Sequence, residues 1–349
     1  NLYHASGGSI TAPSSLHVEQ VKRLPTPDFS GLPIGRYFSP YPVLPAYLSR
    51  GCYWRQCAFC TSPDGQDKIY RRRPAHQVAE DLAELRAKWG AACFAFVDEA
   101  VPPHHLDKLA DTLLSHNELV FSWISWARFD RGFTPGVLEK LKRSGCAALL
   151  FGLESASGRV LDRMQKGIHV DTAREILSAS RAAGILNHAG ILVGFPTESE
   201  QEALETVRFV LEHDREIQSI GLSLFNLDRD SRVMMELERH GVQPIIHPEE
   251  DLASAYDYVV DGRSREEKRR LYDAITKILE EVYPYHILSL HRFLYPLPSG
   301  SADINACTID QGLEAKEREK QRKGRVKSAY RKLAELENQI LQGELYNGN

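Results

Sequence analysis

No stretch of this 349-residue chain stays apolar for the roughly 18 residues that a membrane-crossing helix needs. No secretory leader opens it. Positive charge is not in excess either: 43 Lys and Arg stand against 47 Asp and Glu, a net charge of -4. A non-specific nucleic-acid binder is normally basic, so nucleic acid is not expected as a partner. Cysteine is scarce, with six residues at 52, 57, 60, 93, 146 and 307. That is too sparse for a secreted disulfide scaffold and suits a reducing, cytoplasmic setting. What remains is an ordinary globular composition, 42% hydrophobic and 26% charged, enough for one large domain or two smaller ones.

The chain divides into four expected parts. Residues 1–40 read as an entry segment, with Gly7-Gly8 as a hairpin signal and Pro25, Pro27, Pro33 and Pro40 as an irregular connector. Residues 41–228 alternate between short apolar runs and amphipathic helices. Strands are predicted at 43–48, 93–97, 120–126, 146–153, 185–193 and 217–225. Between them, Pro74 and Gly90 bound one helix, Thr134-Pro135 and Gly145 another, and apolar residues recur at helical spacing over 104–115, 171–183 and 199–213. Six strands alternating with helices imply an α/β fold with right-handed crossovers, closing partly into a (β/α)6 TIM-type barrel. In such folds the chemistry lies at the C-terminal strand ends. Residues 229–312 read as a mostly helical C-terminal region, with Ser264-Arg265-Glu266-Glu267 as a capping box. Residues 313–349 read as a charged helix lying on the barrel or on a partner.

Three of the cysteines crowd into nine residues, Cys52-Tyr53-Trp54-Arg55-Gln56-Cys57-Ala58-Phe59-Cys60, directly after the first strand. Three thiolates on one loop suit three irons of a four-iron four-sulfur cluster and leave the fourth iron open to a chelating substrate. Zinc usually takes four ligands, and no second C-x2-C or H-x3-H pair lies near. A thioredoxin-like pair leaves Cys52 unexplained. Cys93 and Cys146 fall inside predicted strands and read as core thiols.

This loop resembles the radical S-adenosylmethionine (SAM) superfamily. Most members space the cysteines C-x3-C-x2-C with an aromatic before the last, the position Phe59 holds here. The first gap is one residue longer. Together with Ser49-Arg50-Gly51-Cys52-Tyr53-Trp54, that longer gap resembles a subgroup carrying an N-terminal cobalamin-binding domain. The resemblance covers about residues 1–226. It implies a cluster on Cys52, Cys57 and Cys60 and a SAM site spread over strand ends. Asp98 and Glu99 end the second strand and match the position that receives the methionine ammonium; a loop or cap role is the plain alternative. Arg128 suits the methionine carboxylate, or an ion pair with Asp130. Glu154 matches the carboxylate for the ribose hydroxyls, and Gly194 and Pro196 match the edge used by adenine and methionine. His188 reads as a core histidine, and Arg71-Arg72-Arg73 as a solvated charge run.

By the same resemblance, the reduced cluster passes one electron into the sulfonium. SAM then splits into methionine and a 5'-deoxyadenosyl radical, which takes hydrogen from a small-molecule or peptide substrate. A flavodoxin or ferredoxin would supply the electron. Cobalamin-dependent methylation in natural-product or peptide modification is the leading outcome. Two alternatives stay open: cobalamin-free oxidation, cyclisation or thioether formation, and a non-catalytic iron–sulfur subunit. No D-x-H-x-x-G cobalamin motif occurs in the chain, so any corrin domain is expected to lie upstream of Asn1 or on another chain.

Overall fold

A computed structural model describes residues 4–6, 9–11, 20–37, 42–61, 69–91, 93–116, 122–245, 253–284 and 315–346. Cys307 and the 295–312 loop lie outside them. At the entry, His4–Ser6 pairs antiparallel with Ser9–Thr11 around Gly7-Gly8, the hairpin expected from the glycine pair.

The central sheet has six parallel strands: β1 Val43–Ala46, β2 Cys93–Phe96, β3 Ser122–Ala127, β4 Cys146–Glu154, β5 Leu186–Val193 and β6 Ser219–Leu224. They lie in sequence order across the sheet, β1 at one edge and β6 at the other. Helices cross between them: α1 Ala75–Trp89, α2 Pro103–Ser115, α3 Pro135–Arg143, the short α4 Gly158–Arg163, α5 Val170–Ala182 and α6 Glu200–Glu212. The punctuation acts as the residue types require. Pro103 and Pro135 start helices where a missing N–H costs nothing. Gly90 ends α1 at φ +67°. Leu82, Leu106, Leu109 and Leu138 show no exposed surface and join the strands' outward face in one continuous core. Each contributes about 1.5–3 kcal/mol of apolar burial.

The first strand is shorter than its apolar run suggests. It stops at Ala46, because the Asp98 carboxylate takes the Leu48 N–H (3.0 Å) and the Ser49 hydroxyl (2.5 Å) and turns the chain. Ser49–Arg50 then pairs with Arg71–Arg72. Arg73 departs from the solvated reading of its charge run: it is buried and forms an ion pair with Asp81 of α1. A buried arginine requires such a partner.

After β6 the alternation ends, but not all strand structure does. A small antiparallel sheet joins β7 Leu227–Asp228, β8 Val242–Ile245, β9 Ala255–Val260 and β10 Arg263–Ser264. Its residues Tyr258 and Val260 pack with Phe195, Phe225 and Ala58 in a second core beneath the cysteine loop. The capping box at Ser264 and Glu267 opens α7 Arg265–Leu279, and α8 Ala315–Leu341 packs on α6 and α7. Among the described residues no helix is long and apolar enough to cross a membrane.

Candidate cofactor site

The cysteine loop leaves β1 at the C-terminal edge of the sheet, where β4 and β5 also end. Cys52 and Cys60 are half-buried and Cys57 is buried; none of the three is in a disulfide. Burial pushes the Cys57 thiol up, while the nearby cations of Lys166 and Arg128 work against that shift. Among the described residues, no three His, Cys, Asp or Glu side chains stand grouped around one point as for a single metal ion. The donor set still fits a four-iron cluster: three cysteines outside any disulfide within nine residues, beside two cations that favour thiolates.

One short segment holds this loop from the far side. Three consecutive carbonyls between α4 and α5 are all used. Met164 O accepts from Ala58 N–H (2.8 Å), Gln165 O from the Trp54 indole Nε1 (2.8 Å), and Lys166 O from Arg128 Nη2. Gln165 (φ +52°) and Gly167 (φ +64°) are left-handed, which bends the segment so that its carbonyls converge on the loop. A Cβ on Gly167 would overlap the Trp54 ring, so glycine is needed there on two counts. The C-terminal region grips the same loop: Arg232 donates to Arg55 O and to Gln165 Oε1, both at 3.1 Å, and Val233 N–H donates to Ala58 O at 3.0 Å.

Gly152, Gly190 and Gly221 stand in register across β4, β5 and β6, with the His188 ring over Gly221. At the end of β4 the register shifts by one residue, and Glu154 takes a left-handed backbone at φ +63°. Its carboxylate curls back over Gly152 and accepts from Lys166 Nζ at 2.7 Å. Lys166 is buried, with its ammonium 5.7 Å from the Phe59 ring centroid. Lys166 was not singled out from the sequence. Its only signal there is a lysine beside a glycine some dozen residues after the Glu154 strand end.

The other expected residues fall as follows. Asp98 is buried and holds Leu48 and Ser49; burial pushes its carboxyl up to about 6. Glu99 is exposed. Arg128 is buried, with Nη1 3.8 Å from Cys57 Sγ and its guanidinium centre 4.5 Å from the Trp54 ring centroid. Asp130 accepts instead from the Tyr53 hydroxyl (3.1 Å) and Gly132 N–H (2.8 Å). Gly194, at φ +81°, donates its N–H to Glu198 at 2.6 Å, and Pro196 is buried beside it. Burial pushes Glu198 up to about 7, opposed by Lys268 of α7. His188 is buried, its Nδ1 2.7 Å from the Ser219 hydroxyl, and burial lowers it to about 4. Burial also raises Cys93 to about 11 and Cys146 further, as for thiols inside a core.

A sheet of this topology, with three thiols at its C-terminal edge, defines a class that comparison bears out. Residues 47–210 match the model of the Radical SAM superfamily, so this chain carries a radical SAM domain, with the four-iron cluster and SAM that such a domain implies. Among individual proteins, an uncharacterized methyltransferase of Pyrococcus horikoshii is 27% identical over 61% of this chain and 46% of its own length. A cytidylyl-2-hydroxyethylphosphonate methyltransferase of Streptomyces wedmorensis is 25% identical over 63% of this chain and 42% of its own length. The chain thus spans less than half the length of these curated relatives. The fold is shared with the apo form of the cobalamin-dependent S-adenosylmethionine radical enzyme OxsB. The match has TM-score 0.62 and 13% identity, over 97% of this chain and 60% of that one. It is also shared with the radical S-adenosylmethionine methyltransferase TsrM of Kitasatospora setae, at TM-score 0.57 and 15% identity, over 84% and 62% of the two chains.

Proposed function

We propose that this chain reductively cleaves SAM and turns the resulting radical on an organic substrate, in a cobalamin-dependent methylation of a small molecule or peptide. The observation that carries the cleavage reading is the juxtaposition at the sheet edge. A loop of three cysteines lies beside a carboxylate–ammonium pair, Glu154 and Lys166, which covers Gly152 at the strand end. When bound, the cluster supplies the electron that splits SAM into methionine and a 5'-deoxyadenosyl radical. Cys52, Cys57 and Cys60 would hold it, with the half-buried Phe59 beside Cys60 in the same loop. Glu154 accepts from the ribose hydroxyls, for which a charged acceptor suits a vicinal diol. Lys166 is the cation placed to meet the methionine carboxylate. Of the acids after β2, the exposed Glu99 is placed for the ammonium, while Asp98 anchors the loop. The Gly194–Pro196 edge receives the adenine. Trp54, the buried Arg128 and the Met164–Gly167 segment would back the cluster. Orientation and exclusion of water are the protein's share, and the cofactor carries the hard chemistry.

The cobalamin part rests on the likeness to the longer-gap subgroup and to methyltransferase relatives. The electron is expected from a flavodoxin- or ferredoxin-type donor.

The test is anaerobic reconstitution followed by reduction with SAM. About four irons per chain and slow release of 5'-deoxyadenosine are expected, both lost when Cys52, Cys57 and Cys60 are changed together to Ala. Retention of the cluster in that triple variant, or stoichiometric zinc in place of iron, would overturn the assignment.

A further inference from the structure

Among the described residues, Arg128 is a buried arginine that contacts the cysteine loop. It leaves the end of β3, and 5% of its surface is exposed. One terminal nitrogen donates to Lys166 O; the other points at Cys57 Sγ from 3.8 Å. The Trp54 ring closes off the guanidinium face at 4.5 Å. Trp54 is itself pinned by Gln165 O and seated on Gly167. So this guanidinium is held on two sides, by the cysteine loop and by the Met164–Gly167 segment.

We propose that Arg128 is a positioning residue that raises the redox potential of the cluster by directing a buried cationic N–H at Cys57. This goes beyond the Proposed function and rests on it, since it presumes the cluster on these thiols.

The physical argument concerns charge. Reduction adds one electron, taken from an external one-electron reductant, and much of that charge falls on the thiolate sulfurs. A fixed cation and an N–H···S contact stabilise the more negative state, and cluster potentials follow charge and hydrogen bonds to sulfur. Burial strengthens the effect, because water does not screen it. The charged groups around Cys57 are Arg128, Lys166 and Glu154, and Lys166 is paired with Glu154 at 2.7 Å. Lys166 has the larger pull on the thiol but is offset by Glu154, and Arg128 is the cation that also directs an N–H at the sulfur. Asp130, its expected ion-pair partner, is taken up by Tyr53 and Gly132. Both terminal nitrogens are already engaged, one on Lys166 O and one at Cys57 Sγ, which argues against a grip on the methionine carboxylate.

The experiment compares wild type, Arg128→Gln and Arg128→Lys after anaerobic reconstitution, without SAM, by redox titration read from the electron paramagnetic resonance signal of the reduced cluster. SAM affinity is measured separately. Arg128→Gln is expected to lower the reduced-to-oxidised ratio at a fixed potential about tenfold, a fall of about 59 mV in midpoint for one electron. Arg128→Lys should fall between, and SAM affinity should hold within about twofold. Unchanged midpoints in fully loaded variants would overturn the proposal. So would a loss of SAM affinity with no change in midpoint, which would make Arg128 a cofactor ligand. If Arg128→Gln does not retain iron, Arg128→Lys decides: a lowered midpoint supports the proposal and an unchanged one overturns it. A wild type that takes up no four-iron cluster would instead sink the Proposed function, and it is seen before any variant is compared.

Discussion

Glu154 sits in a backbone conformation that L-residues avoid, at φ +63°. Such a conformation costs about 1–3 kcal/mol and persists only where its surroundings enforce it. Here Lys166 and the Gly152 floor do so, aiming a carboxylate along the sheet edge. Glu154→Gln is expected to weaken SAM binding by roughly tenfold to a hundredfold, about 1.5–3 kcal/mol, and to leave iron content unchanged. Equilibrium binding beside an iron assay checks both. Asp98 gives a different signature. Its folded value of about 6 stands above the usual value for an unfolded aspartate, because burial penalises the charge. The folded state therefore holds the proton more tightly. Asp98 contributes stability that is present below about pH 4 and is lost as pH rises through about 6. Thermal midpoints of wild type and Asp98→Asn, followed from pH 4 to 7, should converge or cross in that direction. A wild type that gains on the variant as pH rises would refute the reading.

Between residues 164 and 167 the chain is neither helix nor strand, yet it determines the shape of the thiol loop. Gly167→Ala is expected to lift Trp54 off its seat, with lower iron uptake and faster loss of cluster in air; Gly158→Ala, at an open position at the start of α4, is the control. This segment also marks how far the sequence can be read. The six strands, their order and the helix caps were legible, because apolar period, proline and glycine act locally: Gly90 and the Ser264 box fall where expected. The clustering of three cysteines and the position of Glu154 at a strand end could be read from the sequence; the roles given to them are part of the proposed function. Lys166, the three carbonyls and the Arg232 grip were not. Each is a long-range contact made by an ordinary residue, and a backbone carbonyl carries no sequence signature. Arg73 misled for the opposite reason: a run of charge reads as solvated until a buried Asp81 partners one member of it. The strands β7–β10 also went unforeseen, because pieces of two to six residues carry little periodicity.

For the molecule as a whole, the proposed methylation depends on which chain would carry a corrin. Residues 1–349 with reductant and SAM should form 5'-deoxyadenosine, yet bind added hydroxocobalamin too weakly to shift its spectrum at micromolar concentration. Tight binding would place the corrin cradle within these residues and revise the domain argument.

The grip of Arg232 on the cysteine loop also has a consequence in time. The guanidinium and the Arg55 carbonyl it holds are 177 residues apart in sequence. A ribosome adding about 5–20 residues per second takes roughly 9–35 s to cover that distance. Throughout that interval the thiols are already outside or leaving the tunnel, while the segment that shapes their loop has not been made. Contacts of such long separation close late in folding. The nascent loop is then a loose tri-thiol peptide, open to stray metals and to oxidation. Its finished form appears only once the small sheet has closed under it, so iron loading belongs to the completed chain.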